Sequence, residues 1–131
     1  VSEPPAALAP YNQTLPGTDA APLQAAQWIR TIAEHEQPDL ADRAAEVVYA
    51  LVASAVRHTR ERDQISVRAQ MLDGGRLRVE VRDPAGQPTR PGPAVWDDVS
   101  RKVRDFGGCT AGGEYLAWVE FGPEMLAGRS R

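Results

Sequence analysis

Apolar residues recur every third position at Leu23, Ala26, Ile29 and Ile32, which predicts an amphipathic helix running to about His35. Asp19 stands as its N-cap, and Pro22 is tolerated in the first turn, where a backbone N–H has no helical partner. After Pro38, Asp39 serves as the next N-cap, and Asp42 adds a second carboxylate at the positive end of a second helix. Ala44, Val47, Val48, Leu51, Val52 and Ala55 give that helix a broad apolar stripe. No breaker interrupts it before the charged cluster Arg60-Glu61-Arg62-Asp63.

Beyond that cluster the period changes to two. Ile65, Val67, Ala69 and Met71 alternate with polar residues, as do Leu77, Val79 and Val81. Asp73-Gly74-Gly75 between them is a hairpin turn that tolerates positive φ, so the two strands are expected side by side and antiparallel. Tyr11 to Leu15 reads as a short edge strand ended by Pro16-Gly17. Residues 84 to 93 form a Pro/Gly loop. Val95, Val99, Val103 and Phe106 mark a third helix, with Gly107-Gly108 as its stop. Gly112-Gly113 is a second hairpin signal. After it Tyr115, Ala117, Val119 and Phe121 alternate with Leu116 and Trp118, as expected of a central strand. Paired strands separated by helices predict an α+β fold, a two-layer sandwich in which helices cover one face of a mostly antiparallel sheet. Residues 1 to 10 are expected as a flexible arm, 11 to 124 as a single domain and 125 to 131 as a tail.

Composition changes this picture little. The chain has 131 residues, 42% apolar and 25% charged, which suits one soluble globular domain. A net charge of −3 argues against direct nucleic-acid binding, which needs a basic face. No apolar run approaches the ~18 to 20 residues that would span a bilayer, and the opening VSEPPAALAP does not read as a signal peptide. The expectation is a cytoplasmic protein with no membrane association. Cys109 is the only cysteine, which excludes an internal disulfide and a cysteine-based zinc cluster. Two distant histidines, His35 and His58, suggest no metal site.

Asp83 is the most informative polar residue. It shares the parity of Leu77, Val79 and Val81, so its side chain points toward the apolar face of its strand. A carboxylate there needs hydrogen-bond donors. Two sources fit: the backbone N–H groups of the following Pro84-Ala85-Gly86 turn, or an amine on a ligand.

Leu51-Val52-Ala53-Ser54-Ala55-Val56-Arg57-His58 and the strand ending in Asp83 resemble the nucleotide site of the histidine-kinase-like (GHKL) ATPases, in particular the bacterial anti-sigma-factor serine/threonine kinases. Leu15-Pro16-Gly17, the helix around Trp28-Ile29-Arg30, the segment Val95 to Gly107 and the strand Glu114 to Phe121 follow the family's order. The resemblance implies a histidine-kinase-like ATPase fold, with Asp83 where the adenine-binding Asp belongs. It also exposes departures. The family's Mg²⁺-binding Asn and its general-base Glu, four residues apart on one helix face, correspond to Ser54 and Ala50. Ala50 cannot accept a proton, and base catalysis is typically worth about 10²–10⁴-fold. Glu46 lies a further turn away, about 6 Å along the helix axis. The glycines expected two and four residues after the Asp are Ala85 and Gln87, with Gly86 between them. Pro91-Gly92-Pro93 replaces the Gly-x-Gly of the phosphate-binding lid.

The resemblance therefore implies a regulatory protein with a degenerate site and weak or no kinase activity. No residue takes a catalytic or metal-binding role, and any surviving nucleotide contacts fall to Asp83, Ser54 and Gly86. No cofactor is expected; Mg²⁺-ATP belongs to the rival reading of an active kinase, and adenine without hydrolysis to that of a nucleotide sensor. Implied partners are a sigma factor or an anti-anti-sigma-like regulator, with a homodimer as a further option. Trp28 and Trp96 are the candidate interface anchors, because an exposed Trp binds a partner efficiently. Trp118 is expected in the core.

Overall fold

The alternation from Ile65 onward does what a period of two requires: Ile65, Val67 and Ala69 are buried while Ser66 and Arg68 face solvent. A computed structural model describes residues 10–57, 59, 63–84 and 91–123. In chain order the elements are β1 (Tyr11–Pro16), α1 (Ala21–Glu36), α2 (Ala41–Val56), β2 (Gln64–Leu72), β3 (Arg76–Asp83), α3 (Pro93–Ser100), β4 (Asp105–Ala111) and β5 (Glu114–Phe121). The strands form one sheet in the order β1-β2-β3-β5-β4, and every neighbouring pair is antiparallel. The expected α+β arrangement is present, with β5 inside the sheet. Apart from Pro10, the expected arm over 1–10 and tail over 125–131 lie outside the described residues, as does Gly86.

Tight turns set the registers. Gly74 and Gly75 adopt φ of 80° and 74° between β2 and β3, and Gly112 and Gly113 adopt 60° and 81° between β4 and β5. An L side chain is strained at such angles, so glycine fixes both hairpins. Gln37, just after α1, donates its amide to the Gly75 carbonyl at 3.1 Å and ties the helical layer to the first hairpin.

The core lies between the helices and one face of the sheet. Ile29, Leu51, Val48, Ile65, Val79, Val119 and Phe121 are fully or almost fully buried there, each worth about 1.5–3 kcal/mol relative to an exposed position. The opposite face is polar. Arg76 and Arg78 both donate to Glu120, at 3.0 and 2.9 Å, and the Arg78 guanidinium lies 4.4 Å from the centre of the Trp118 ring. Trp118 therefore belongs to the open face and not to the core, a correction to the sequence expectation.

Further corrections concern helix ends. The third helix stops at Ser100 instead of Phe106. The Arg104 amide bonds the Glu120 carbonyl at 2.7 Å and draws the following residues onto β5 as β4. Gly107 and Gly108 thus lie inside a strand. Their lack of a side chain makes room: a Cβ on Gly107 would fall 2.7 Å from the Trp118 ring, and one on Gly108 would fall 1.9 Å from the Tyr115 hydroxyl. Neither Asp19 nor Asp39 caps a helix. The N-cap positions are Ala20 and Leu40, without side-chain caps, and Asp39 sits in a 3₁₀ turn over Pro38–Leu40. Leu23 is 55% exposed, on the outer side of α1. Asp97 and Asp98 are in the second half of α3, where they pair with Arg101 and Lys102 one turn on.

Candidate functional site

Strand parity brings Asp83 to the buried face at the end of β3, where it is 2% exposed. One of its partners lies just beyond the C-terminal end of α2. The Thr59 hydroxyl lies 3.0 Å from Asp83 Oδ1 and 2.7 Å from the Ala55 carbonyl four residues back. A hydroxyl has one proton, so Thr59 either closes the last turn of α2 or satisfies the carboxylate. Asp83 has a further interaction besides this one. Across the β3–β5 ladder its register partner is Tyr115, 8% exposed and on the same face. The Tyr115 ring leans over β4, with its hydroxyl above Gly108.

Ser54 is buried on α2 two residues before the helix ends, and Ala50 is half-buried one turn earlier. Glu46 is exposed and lines a polar depression of about 510 Å³ with Arg30, Asp42, Arg43 and Lys102. Arg30 and Asp42 form an ion pair across it, linking α1 to α2. This stripe of α2 holds one carboxylate, one methyl and one buried hydroxyl. Among the described residues no three His, Cys, Asp or Glu side chains converge as metal ligands.

A helix N-terminus binds anions through its unpaired N–H groups. Gly92 caps α3, and Pro93 at the first helical position has no N–H. Of the donors that follow, Ala94, Val95 and Trp96, the last two bond the Gly92 carbonyl, at 3.0 and 3.1 Å. Pro91 removes another donor just before the cap. A neutral Ser54, an Ala50 without a proton acceptor and this donor-poor α3 entrance are a poor fit to Mg²⁺-triphosphate.

Trp96 and Trp28 occupy separate depressions. Trp96 stacks on Phe106 with ring centroids 5.3 Å apart, and the pair borders a cleft of about 520 Å³ with Pro91, Pro93, Gly108 and Tyr115. Trp28 lies between α1 and the edge strand β1, in a groove of about 440 Å³ that also contains Gln13, Gln24, Gln27 and Thr31. Gln13 Oε1 is buried there without a hydrogen-bond partner, which is uncommon for a buried acceptor. Both indoles are half-buried and pack against the core.

No protein-family model matches this chain, and no curated protein does either. Among solved structures, it is similar to the RsbU and RsbW domains of Rv1364c from Mycobacterium tuberculosis, with a TM-score of 0.70 and 18% identity. The match covers 87% of this chain and 32% of that one, so the chain spans about a third of the protein it resembles. The fold is the histidine-kinase-like ATPase fold. At that identity the likeness extends to the fold alone.

Among the residues singled out from sequence, Asp83 and Ser54 lie at the ends of neighbouring elements, while Trp28 and Trp96 are in different grooves. Sequence reasoning missed Thr59, Tyr115 and Phe106. A Thr four residues after a helical alanine, placed to bond back to its carbonyl, was the available signal for Thr59. Tyr115 needed the β3–β5 register, which no local pattern carries.

Proposed function

We propose that this chain is a bacterial regulatory protein that acts in the cytoplasm by binding another protein, in the manner of an anti-sigma factor, with weak or no kinase activity. The observation that carries this reading is the entrance to α3, where prolines and the Gly92 carbonyl leave few donors for a phosphate. Ala50 and Ser54 support it from α2, which contacts α3. The partner class is a sigma factor or an anti-anti-sigma-like regulator, and Trp28 and Trp96 are its anchors. Each Trp presents part of a large apolar ring in a depression, as binding hot spots do.

Calorimetry with ATP and Mg²⁺ tests the first half of the proposal: little or no heat is expected, and low-micromolar, magnesium-dependent binding would remove its main support. Identifying the co-purifying partner from native extract tests the second half. Trp28→Ala or Trp96→Ala is then expected to weaken that association by about 1–2 kcal/mol or more while the fold remains intact.

One observation favours a second reading, that of a non-hydrolysing adenine sensor: the buried carboxylate of Asp83 is retained although the phosphate end is altered. Adenosine, ADP and ATP would then bind alike, and Asp83→Asn would abolish all three.

A further inference from the structure

The sheet's open face contains a small notch, about 160 Å³, lined by Asn12, Ser66, Arg68, Glu80 and Arg82. It is distant in kind from the features above: it lies on the solvent side of β1, β2 and β3 and uses neither indole. Register builds it. Asn12 faces Arg68 across β1–β2, Arg68 faces Glu80 across β2–β3, and Ser66 faces Arg82 one step along.

The charges in this region are unevenly matched. Glu120 takes Arg76 and Arg78, and Glu80 turns along its own strand to accept the Arg78 Nε at 3.0 Å. Glu80 is therefore committed beside Arg78, although Arg68 lies directly opposite it. Arg68 is exposed and has no ion-pair partner among the described residues. Among the described residues Arg82 reaches only Glu114, at 3.9 Å, with both side chains nearly half exposed. At that distance and exposure the pair adds little. Two guanidiniums, a hydroxyl and a carboxamide thus line one depression beside the Glu80 carboxylate, which Arg78 already neutralises, in a chain whose net charge is −3. The guanidinium fork matches a carboxylate bidentately, and Ser66 and Asn12 supply neutral donors beside it.

We propose that this notch is a carboxylate-binding site, filled by an acidic side chain of an extended segment on a partner protein. Asn12, Ser66, Arg68 and Arg82 are exposed, so such a segment can lie across the face. This inference is independent of whether Trp28 and Trp96 anchor a partner, and of whether any nucleotide binds.

The test titrates the intact chain with a capped hexaglutamate peptide, a matched hexaglutamine peptide and inorganic phosphate, following backbone amides by two-dimensional NMR. Hexaglutamate is expected to shift the amides of Ser66, Arg68, Glu80 and Arg82 saturably, less so as salt rises, while hexaglutamine leaves them in place. Arg68→Gln and Arg82→Gln are each expected to weaken the interaction about fivefold, with unchanged amide positions on the buried face confirming that both variants fold. Equal binding of hexaglutamine, indifference to both substitutions, or phosphate binding without hexaglutamate binding would each overturn the proposal.

Discussion

Over β1, β2 and β3, the helices α1 and α2 bury Ala25, Ile29, Ala33, Ala44, Val48, Leu51 and Val52, whereas over β4 the short α3 fully buries only Val99. Alanines let α1 and α2 approach the sheet and each other closely. At the α3 end, large rings stand in for dense packing: Trp96 and Phe106 stack at the rim of a cleft, and Phe106 stays 41% exposed. One half of the molecule is therefore a close-packed interior, and the other is a thin layer with room beside it. Tolerance to change follows this division, because the penalty for removing atoms scales with how completely they are surrounded.

The largest expected effect sets the two halves against each other. Leu51→Ala, in the dense half, should destabilise the protein by about 2–5 kcal/mol, while Phe106→Ala should fall below about 1 kcal/mol. Urea unfolding of both variants checks this, and similar losses would erase the distinction.

The next effect locates the one tight spot in the thin half. Gly108→Ala should cost about 1–3 kcal/mol through overpacking against Tyr115. Tyr115→Ala should remove most of that penalty in the double variant, a coupling that a double-mutant cycle measures directly. Additive losses would show that the close approach is not the source.

A smaller effect is expected where the halves meet. Thr59→Val keeps the shape and removes the hydroxyl beside Asp83 and Ala55. A loss of about 1–2 kcal/mol is expected, with Thr59→Ser retaining most of the stability; a loss in Thr59→Ser with none in Thr59→Val would place the effect in the γ-methyl.

The smallest effect depends on pH and belongs to the outer edge of the dense half. The Tyr11 hydroxyl donates to Glu36, and that hydrogen bond, then burial, then the nearby negative charge raise its pKa above the ordinary 10.0. The folded state thus favours the protonated phenol. Its stabilising effect is complete below the unfolded pKa near 10 and is lost as pH rises through the higher folded value. Tyr11→Phe should lose the Glu36 contact at neutral pH and flatten the decline in stability above pH 10, as read from thermal unfolding across alkaline buffers.

The same division decides what could be read from the sequence. In the dense half, periodic apolar positions stated the elements directly: the stripes of α1 and α2 and the alternation of β2 and β3 are local patterns with local causes. Asp83 was legible for the same reason, since parity alone places it on the buried face. The thin half misled. Val95, Val99, Val103 and Phe106 keep helical spacing, yet the Arg104 backbone bonds β5 and turns the last of them into strand. Gly107 and Gly108 read as a helix stop because glycine's usual meaning is conformational. Here their meaning is spatial, and it depends on Trp118 and Tyr115 arriving from another strand. Thr59 and Tyr115 beside Asp83 were hidden likewise, because their proximity exists only once α2, β3 and β5 have come together.

The strand order has one more consequence. β3 and β5 are hydrogen-bonded neighbours, yet the chain between Asp83 and Glu114 holds a proline-rich stretch of sequence, α3 and β4. The entropy of closing such an excursion grows only logarithmically with its length, about 0.6 kcal/mol for each doubling. Insertions, deletions and prolines between those two strands therefore weigh little on the central ladder that joins them. The scaffold can persist through generations of rewriting at the entrance to α3, so that the surface there and the architecture bearing it can evolve at different rates.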